Sequence, residues 1–175
     1  MKKLLFFFLP ILFFGGCNKK TISVDYKYNF ATIKFKVNPT TAGVHALDQK
    51  TYSSNFDSFC VTHNLDPNSI NSVLISGANA TLDDSTQNFD EFESARLYAS
   101  TPNLPEIQIA DVAHTPNGQP FMNNFNYSTQ NLIDYLKSPE VTIRMEGTLR
   151  TDVTATKNVV LKVEFKVNAD IIQVK

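Results

Sequence analysis

The 175-residue sequence has no tryptophan, two cysteines, three histidines and six glycines, and its formal net charge is −1. Each scarcity closes a class of chemistry. None of the glycines falls in a dinucleotide or phosphate-loop pattern, so no backbone cradle for a nucleotide is encoded. A charge this close to zero, without a concentrated basic stripe, argues against a nucleic-acid partner, whose binding leans on clustered Lys and Arg. His45, His63 and His114 are far apart and match none of the close metal-ligand spacings. Ser53, Ser54 and Ser58 lack the glycine-flanked elbow of a serine hydrolase. No apolar run reaches the roughly 20 residues that cross a bilayer as a helix. The run from Leu4 to Phe14 is too short and is interrupted by Pro10.

What is present starts at the N-terminus. Lys2 and Lys3 precede the Leu4–Phe14 run, and Gly15 and Gly16 then stand directly before Cys17. A charged start, an apolar core and small residues at a cleavage site make a secretory signal. Phe14-Gly15-Gly16-Cys17 resembles the lipobox of bacterial lipoproteins, with Phe14 where that family usually has Leu. The resemblance implies a diacylglycerol on the Cys17 sulfur, cleavage between Gly16 and Cys17, and acylation of the freed amine. The expected layout is therefore a signal peptide over residues 1–16, a lipidated anchor and short tether over 17–20, and one domain over 21–175. Acidic residues just after the cysteine, which resemble the surface-export signals of some lipoproteins, are absent from Asn18-Lys19-Lys20. The implied address is the bacterial envelope, on the periplasmic side of the outer membrane. A lipid on Cys17 leaves Cys60 without a disulfide partner.

Hydrophobic residues make up 42% of the chain and charged residues 19%, which fits a globular domain rather than a disordered one. Period-two alternation predicts strands at Ile22–Tyr28 and at Ile33–Val37, the latter stopped by Asn38-Pro39. Tyr52, Phe56, Phe59, Cys60 and His63 are spaced to share one face of a helix, which Asn64 and Asp66-Pro67 would stop. Ile70 to Leu82 reads as strand with a bulge at Gly77. Further strands are expected around Phe89–Tyr98, with Glu91 and Glu93 exposed, then at Ile107–Val112 and Phe121–Phe125. Ser128 or Thr129 would cap a short helix through Leu132, Ile133 and Leu136. Two long alternating strands close the chain, and the polar link from Asp152 to Asn158 predicts that they form a hairpin.

Short strands at regular spacing predict an all-β sandwich, immunoglobulin-like in general architecture, with two short helical insertions. The strand texture is similar to that of β-sandwich lipoproteins of Gram-negative, Bacteroidota-like bacteria. Candidate ligand contacts are Tyr98, Tyr127 and Tyr135, since tyrosine offers a flat apolar ring with a polar tip. Asp83, Asp84 and Asp90, with Glu91 and Glu93, form the densest acidic run and are the candidate Ca²⁺ ligands, although without the ordered spacing of a calcium loop. Cys60 and His63 are the one conceivable nucleophile and base pair. The functional expectation is a lipid-anchored, non-enzymatic binding or structural module with a protein or glycan partner and no cofactor. The alternatives are a small envelope hydrolase using carboxylates or Cys60 with His63, and a fibre subunit assembled by strand donation.

Overall fold

A computed structural model describes residues 19–174, so Gly15, Gly16 and Cys17 lie outside the described residues. The described residues build ten strands and two short helices. In order these are β1 (Lys19–Asn29), β2 (Ile33–Val37), β3 (Gly43–Ser53), α1 (Phe56–Thr62), a 3₁₀ turn (Pro67–Ser69), β4 (Ile70–Leu82), β5 (Phe92–Ser100), β6 (Ile107–Ala113), β7 (Phe121–Met122), β8 (Asn126–Tyr127), α2 (Ile133–Lys137), β9 (Glu140–Leu149) and β10 (Lys157–Val174). They form two antiparallel five-stranded sheets. The first runs β1-β10-β4-β7, with β2 also paired to β10, and the second runs β3-β9-β5-β6-β8. The fold is the all-β sandwich that the strand texture predicts.

Alternation explains most of the elements. In β2, Ile33, Phe35 and Val37 are buried while Lys34 and Lys36 face water. Along β10, Val159, Leu161, Val163, Phe165, Val167 and Ala169 point inward, opposite Val141, Ile143 and Met145 of β9 in the other sheet. One hydrophobic core joins the two layers, with the aromatic side chains Phe35, Phe56, Phe89 and Phe92 fully enclosed. Gly147 sits on the inner face of β9, where a Cβ would come within 2.6 Å of Leu47 Cδ1. Leu47 is the extra residue at the β3 irregularity between Ala46 and Asp48, so this glycine makes room for the bulge. The bulge expected near Gly77 is present: β4 and β10 shift register between Gly77↔Glu164 and Ile75↔Phe165.

Four sequence readings need correction. The expected hairpin does not form, because β9 pairs with β3 and β5 while β10 pairs with β1, β2 and β4. The 150–156 link instead crosses from one sheet to the other. Arg150 holds that corner by donating to the carbonyls of Phe92 (2.9 Å) and His114 (2.6 Å). Tyr52 is not on the helix but near the end of β3, a strand that the apolar pattern does not announce because its side chains are only half-buried on one face. Ser128 and Thr129 do not cap α2. The cap position is Leu132, which has no side-chain cap; Asn131, just before it, ties the helix start to β4, its Oδ1 accepting from the Ile133 amide at 3.2 Å and from the Val73 amide at 2.9 Å. Glu91 is half-buried against Lys157, 3.1 Å away.

Helix α1 stops as expected. Asn64 adopts a left-handed φ of 53°, Asn64 N donates to Val61 O, and Leu65 N donates to Cys60 O at 2.8 Å. That pair of reversed bonds satisfies carbonyls the helix end would otherwise leave open. The core predicts its own weak point. Phe92 is fully buried and packs edge-on against Phe89 at 5.4 Å, so Phe92→Ala is expected to cost about 3–5 kcal/mol in urea unfolding. Val44→Ala, at a side chain 63% exposed, should stay within about 0.5 kcal/mol of the parent.

Candidate functional site

The first sheet carries a groove on its outer side, with a volume of about 390 Å³. It exists because β1 and β2 share one edge of β10 without being continuous. The β1 ladder ends at Asn29↔Glu164 and the β2 ladder begins at Ile33↔Leu161. The turn between them leaves a notch beside Lys162 and Val163, closed at its base by the bond from Phe30 N to Val163 O (3.1 Å). On the far side of β10, Gly77 lies opposite Glu164 with a Cβ-to-Cβ approach of 3.3 Å if a side chain were added, so the groove floor is low there.

Tyr127 completes the wall. It comes from β8 in the second sheet, yet its hydroxyl accepts from the Ala78 amide of β4 at 3.1 Å, which fixes the ring against the edge of the first sheet. The side chain stays 38% exposed. Asn29, Thr32, Asn79, Lys162 and Glu164 supply the polar lining, with donors and acceptors and one charge of each sign. Glu164 also pairs with Lys27 and receives a long bond from Ser76 Oγ (3.5 Å). The arrangement offers one aromatic face and several hydrogen-bonding groups over an open floor, suited to holding a polar ligand with apolar patches.

The three candidate tyrosines do not converge. Tyr98 lies on the outer face of the second sheet, where Arg144 sits 4.1 Å above its ring and its hydroxyl donates to Glu146 at 3.3 Å. Arg144 also makes a forked pair with Glu106, both bonds 2.7 Å, which raises the guanidinium pKa and lowers that of Glu106. Tyr135 is buried on α2 and donates to the Pro105 carbonyl at 2.8 Å. Of the three, Tyr127 alone lines the groove. Nothing in the sequence marks Asn29, Asn79, Lys162 and Glu164 as ligand contacts; the one local signal is the strand glycine Gly77, a residue type that marks close approach to the backbone.

The acidic run spends its oxygens on the chain itself. Asp84 accepts from the Thr86 hydroxyl (2.7 Å) and amide (2.9 Å), and these bonds hold its carboxyl below the usual range. Asp90 accepts from the amides of Gly118 (3.0 Å) and Asn117 (2.9 Å), with the same effect, while Asp83 is exposed. Among the described residues, no group of three or more His, Cys, Asp or Glu side chains converges to hold a metal ion. The Cys60 thiol is 1% exposed and faces the core, whereas His63 lies outside, tilted over the rings of Phe59 (4.6 Å) and Tyr26 (5.3 Å). Helical spacing placed the two near each other; core packing turned the thiol inward.

No protein-family model matches the chain, and none of the curated proteins matches it in sequence.

Two outcomes follow from these surroundings. Burial, reinforced by Asp57, pushes the Cys60 thiol up. In a Cys17→Ser protein it should resist a soluble alkylating reagent at neutral pH and react fully once unfolded, and rapid labelling of the folded state would contradict the packing. His114 is buried, its Nε2 without a hydrogen-bond partner among the described residues and 3.9 Å from Asp90. Burial lowers its pKa from 6.5, so the unfolded chain binds the proton more readily. Unfolding free energy should therefore fall as pH drops from about 7 toward 5, and His114→Gln should flatten that slope in pH-dependent urea unfolding.

Proposed function

We propose that this chain is a lipid-anchored envelope lipoprotein whose sandwich is a non-enzymatic binding module, with glycan as the ligand class its groove suits. The anchor half of the reading is supported by Lys2-Lys3, the Leu4–Phe14 run and Gly15-Gly16-Cys17. Each acyl methylene buried in a bilayer contributes about 0.8 kcal/mol, and a single chain binds only reversibly. Two or three chains on Cys17 would make the attachment durable without a membrane-crossing helix. No helix among the described residues is long and apolar enough to cross.

The binding half rests on one observation: Tyr127 is pinned by the Ala78 amide beside a notch lined with Asn29, Asn79, Lys162 and Glu164. A sugar ring has an apolar face and a rim of hydroxyls. An aromatic ring flanked by amide and charged side chains meets both demands, and an aromatic contact is worth about 0.5–1.5 kcal/mol beyond its buried area. The groove is open at the surface, which fits an extended chain better than a small enclosed metabolite.

Each half has its own test. In detergent phase separation the parent protein should enter the detergent phase and Cys17→Ser the aqueous phase; a variant that stays with detergent after its leader is removed contradicts the anchor. On a printed panel of oligosaccharides the domain should bind at least one glycan, and Tyr127→Ala should weaken that binding about tenfold, or roughly 1.4 kcal/mol. Binding to no glycan on the panel, or binding indifferent to Tyr127→Ala, contradicts the groove.

A further inference from the structure

Strand β10 outruns its sheet. Its ladder with β4 ends at Ala169↔Ile70, whereas its ladder with β1 continues to Val174↔Lys19. Among the described residues, the last five positions, Asp170 to Val174, are paired with β1 alone, so the two strands leave the sandwich as a ribbon about 17 Å long at ~3.4 Å per residue. The ribbon is braced near its base, on the inner face by Ile171 and on the outer face by Asp170. Ile171, in register with Ile22, packs toward the core, and a groove of about 600 Å³ separates this side from the turn after α1. Its carboxylates are engaged: Asp170 accepts from Ser23 Oγ and from Asn71 Nδ2 (2.9 Å), and Asp66 accepts from the Asn68 amide (2.9 Å).

Among the described side chains near the ribbon's end, Lys20, Thr21 and Ile172 are exposed, with Ile172 at 63%. Ile172 stands directly opposite Thr21. Cys17 precedes the first paired residue, Lys19, by two positions, and two residues span at most about 7 Å. Thr21 is four residues from Cys17, at most about 14 Å along a fully extended chain. A lipid on Cys17 would therefore lie within two residues of a hydrogen-bonded ribbon.

We infer that the end of this ribbon is a membrane-contacting foot, with Ile172 and Lys20 seated in the lipid headgroup layer and the sandwich standing end-on above it. The inference rests on the proposed acylation of Cys17. It fits the side chains described there, since register puts Ile172 and Thr21 on one face of the ribbon and Lys20 on the other, so that an exposed apolar group and a long cation stand at one level, as an interface with an apolar and a wet side requires. It also orients the molecule. The opposite end, where β3 begins at Gly43 and β10 at Lys157, would face away from the membrane, with the 83–91 and 114–120 loops beside it.

Because the chain has no tryptophan, single-tryptophan reporters read this geometry without background. The full-length acylated protein would be reconstituted in phosphatidylcholine and phosphatidylethanolamine vesicles carrying nitroxide-labelled headgroups, and its flotation recorded alongside fluorescence. Ile172→Trp and, on the neighbouring strand, Thr21→Trp should float and be quenched about twofold, as expected for side chains at headgroup depth. Val44→Trp, near the start of β3 and roughly 40 Å away along the strands, should float and remain unquenched. Floating protein in which neither ribbon reporter is quenched, or in which Val44→Trp is quenched equally, overturns the foot and leaves the anchor standing. Protein that does not float overturns the anchor and the foot together.

Discussion

The structure depends on β10 being hydrogen-bonded along both edges. From Val159 to Ala169 it pairs with β4 on one side, and on the other it pairs successively with β2 and β1. A strand of 18 residues whose inward positions are nearly all Val, Leu, Ile, Phe or Ala can do this only if a second layer covers that inner face. The second sheet supplies the cover, and Arg150 turns the chain from one layer to the other by collecting two carbonyls at the corner. Lys157, at the start of β10, is itself buried, with its ammonium 2.8 Å from the Asn88 carbonyl and 3.1 Å from Glu91. A charge in that position is tolerated because both partners are in place, and removing one of them would leave it uncompensated.

Other edges are closed by side chains. The outward amides of β2 are met from β3, by Asp48 at Lys36 N (2.7 Å) and by the Tyr52 hydroxyl at Lys34 N (3.3 Å). The free edge of β4 is met by Asn131, Leu132 and Tyr127. Exposed strand edges invite pairing with other chains, and acceptors placed against them reduce that hazard. Tyr127 thus has two roles. It covers an edge amide, and in doing so it fixes an aromatic wall on the β4 side of the groove, across β10 from the notch between β1 and β2.

The sequence reading reached furthest where burial is one-sided and strong. Ile33-Phe35-Val37 and Val159 through Val167 declare both strand and inner face, and Asn64 with Asp66-Pro67 declares the end of α1. β3 is not legible in the sequence, because Val44, Ala46 and Leu47 are too few and too exposed to show a period, and a bulge resets the alternation midway. The partner of β10 is not legible either, because alternation marks a buried face and says nothing about whether the neighbour is beside the strand or across the core. The groove was only partly legible for a related reason. Tyr127 stands out as an aromatic, but Asn29, Asn79, Lys162 and Glu164 come from three strands and acquire a common purpose only through register.

The proposed function draws on the same strand. Its outer positions Lys162 and Glu164 line the groove, and its last residues form the ribbon that would carry the anchor. The most direct test of β10 as the doubly paired spine is hydrogen exchange resolved by residue. Amides from Val159 to Ala169 should be the slowest in the protein, exchanging only through global unfolding, while those of the edge strand β3 exchange sooner. Exchange in β10 as fast as in β3 would contradict the account.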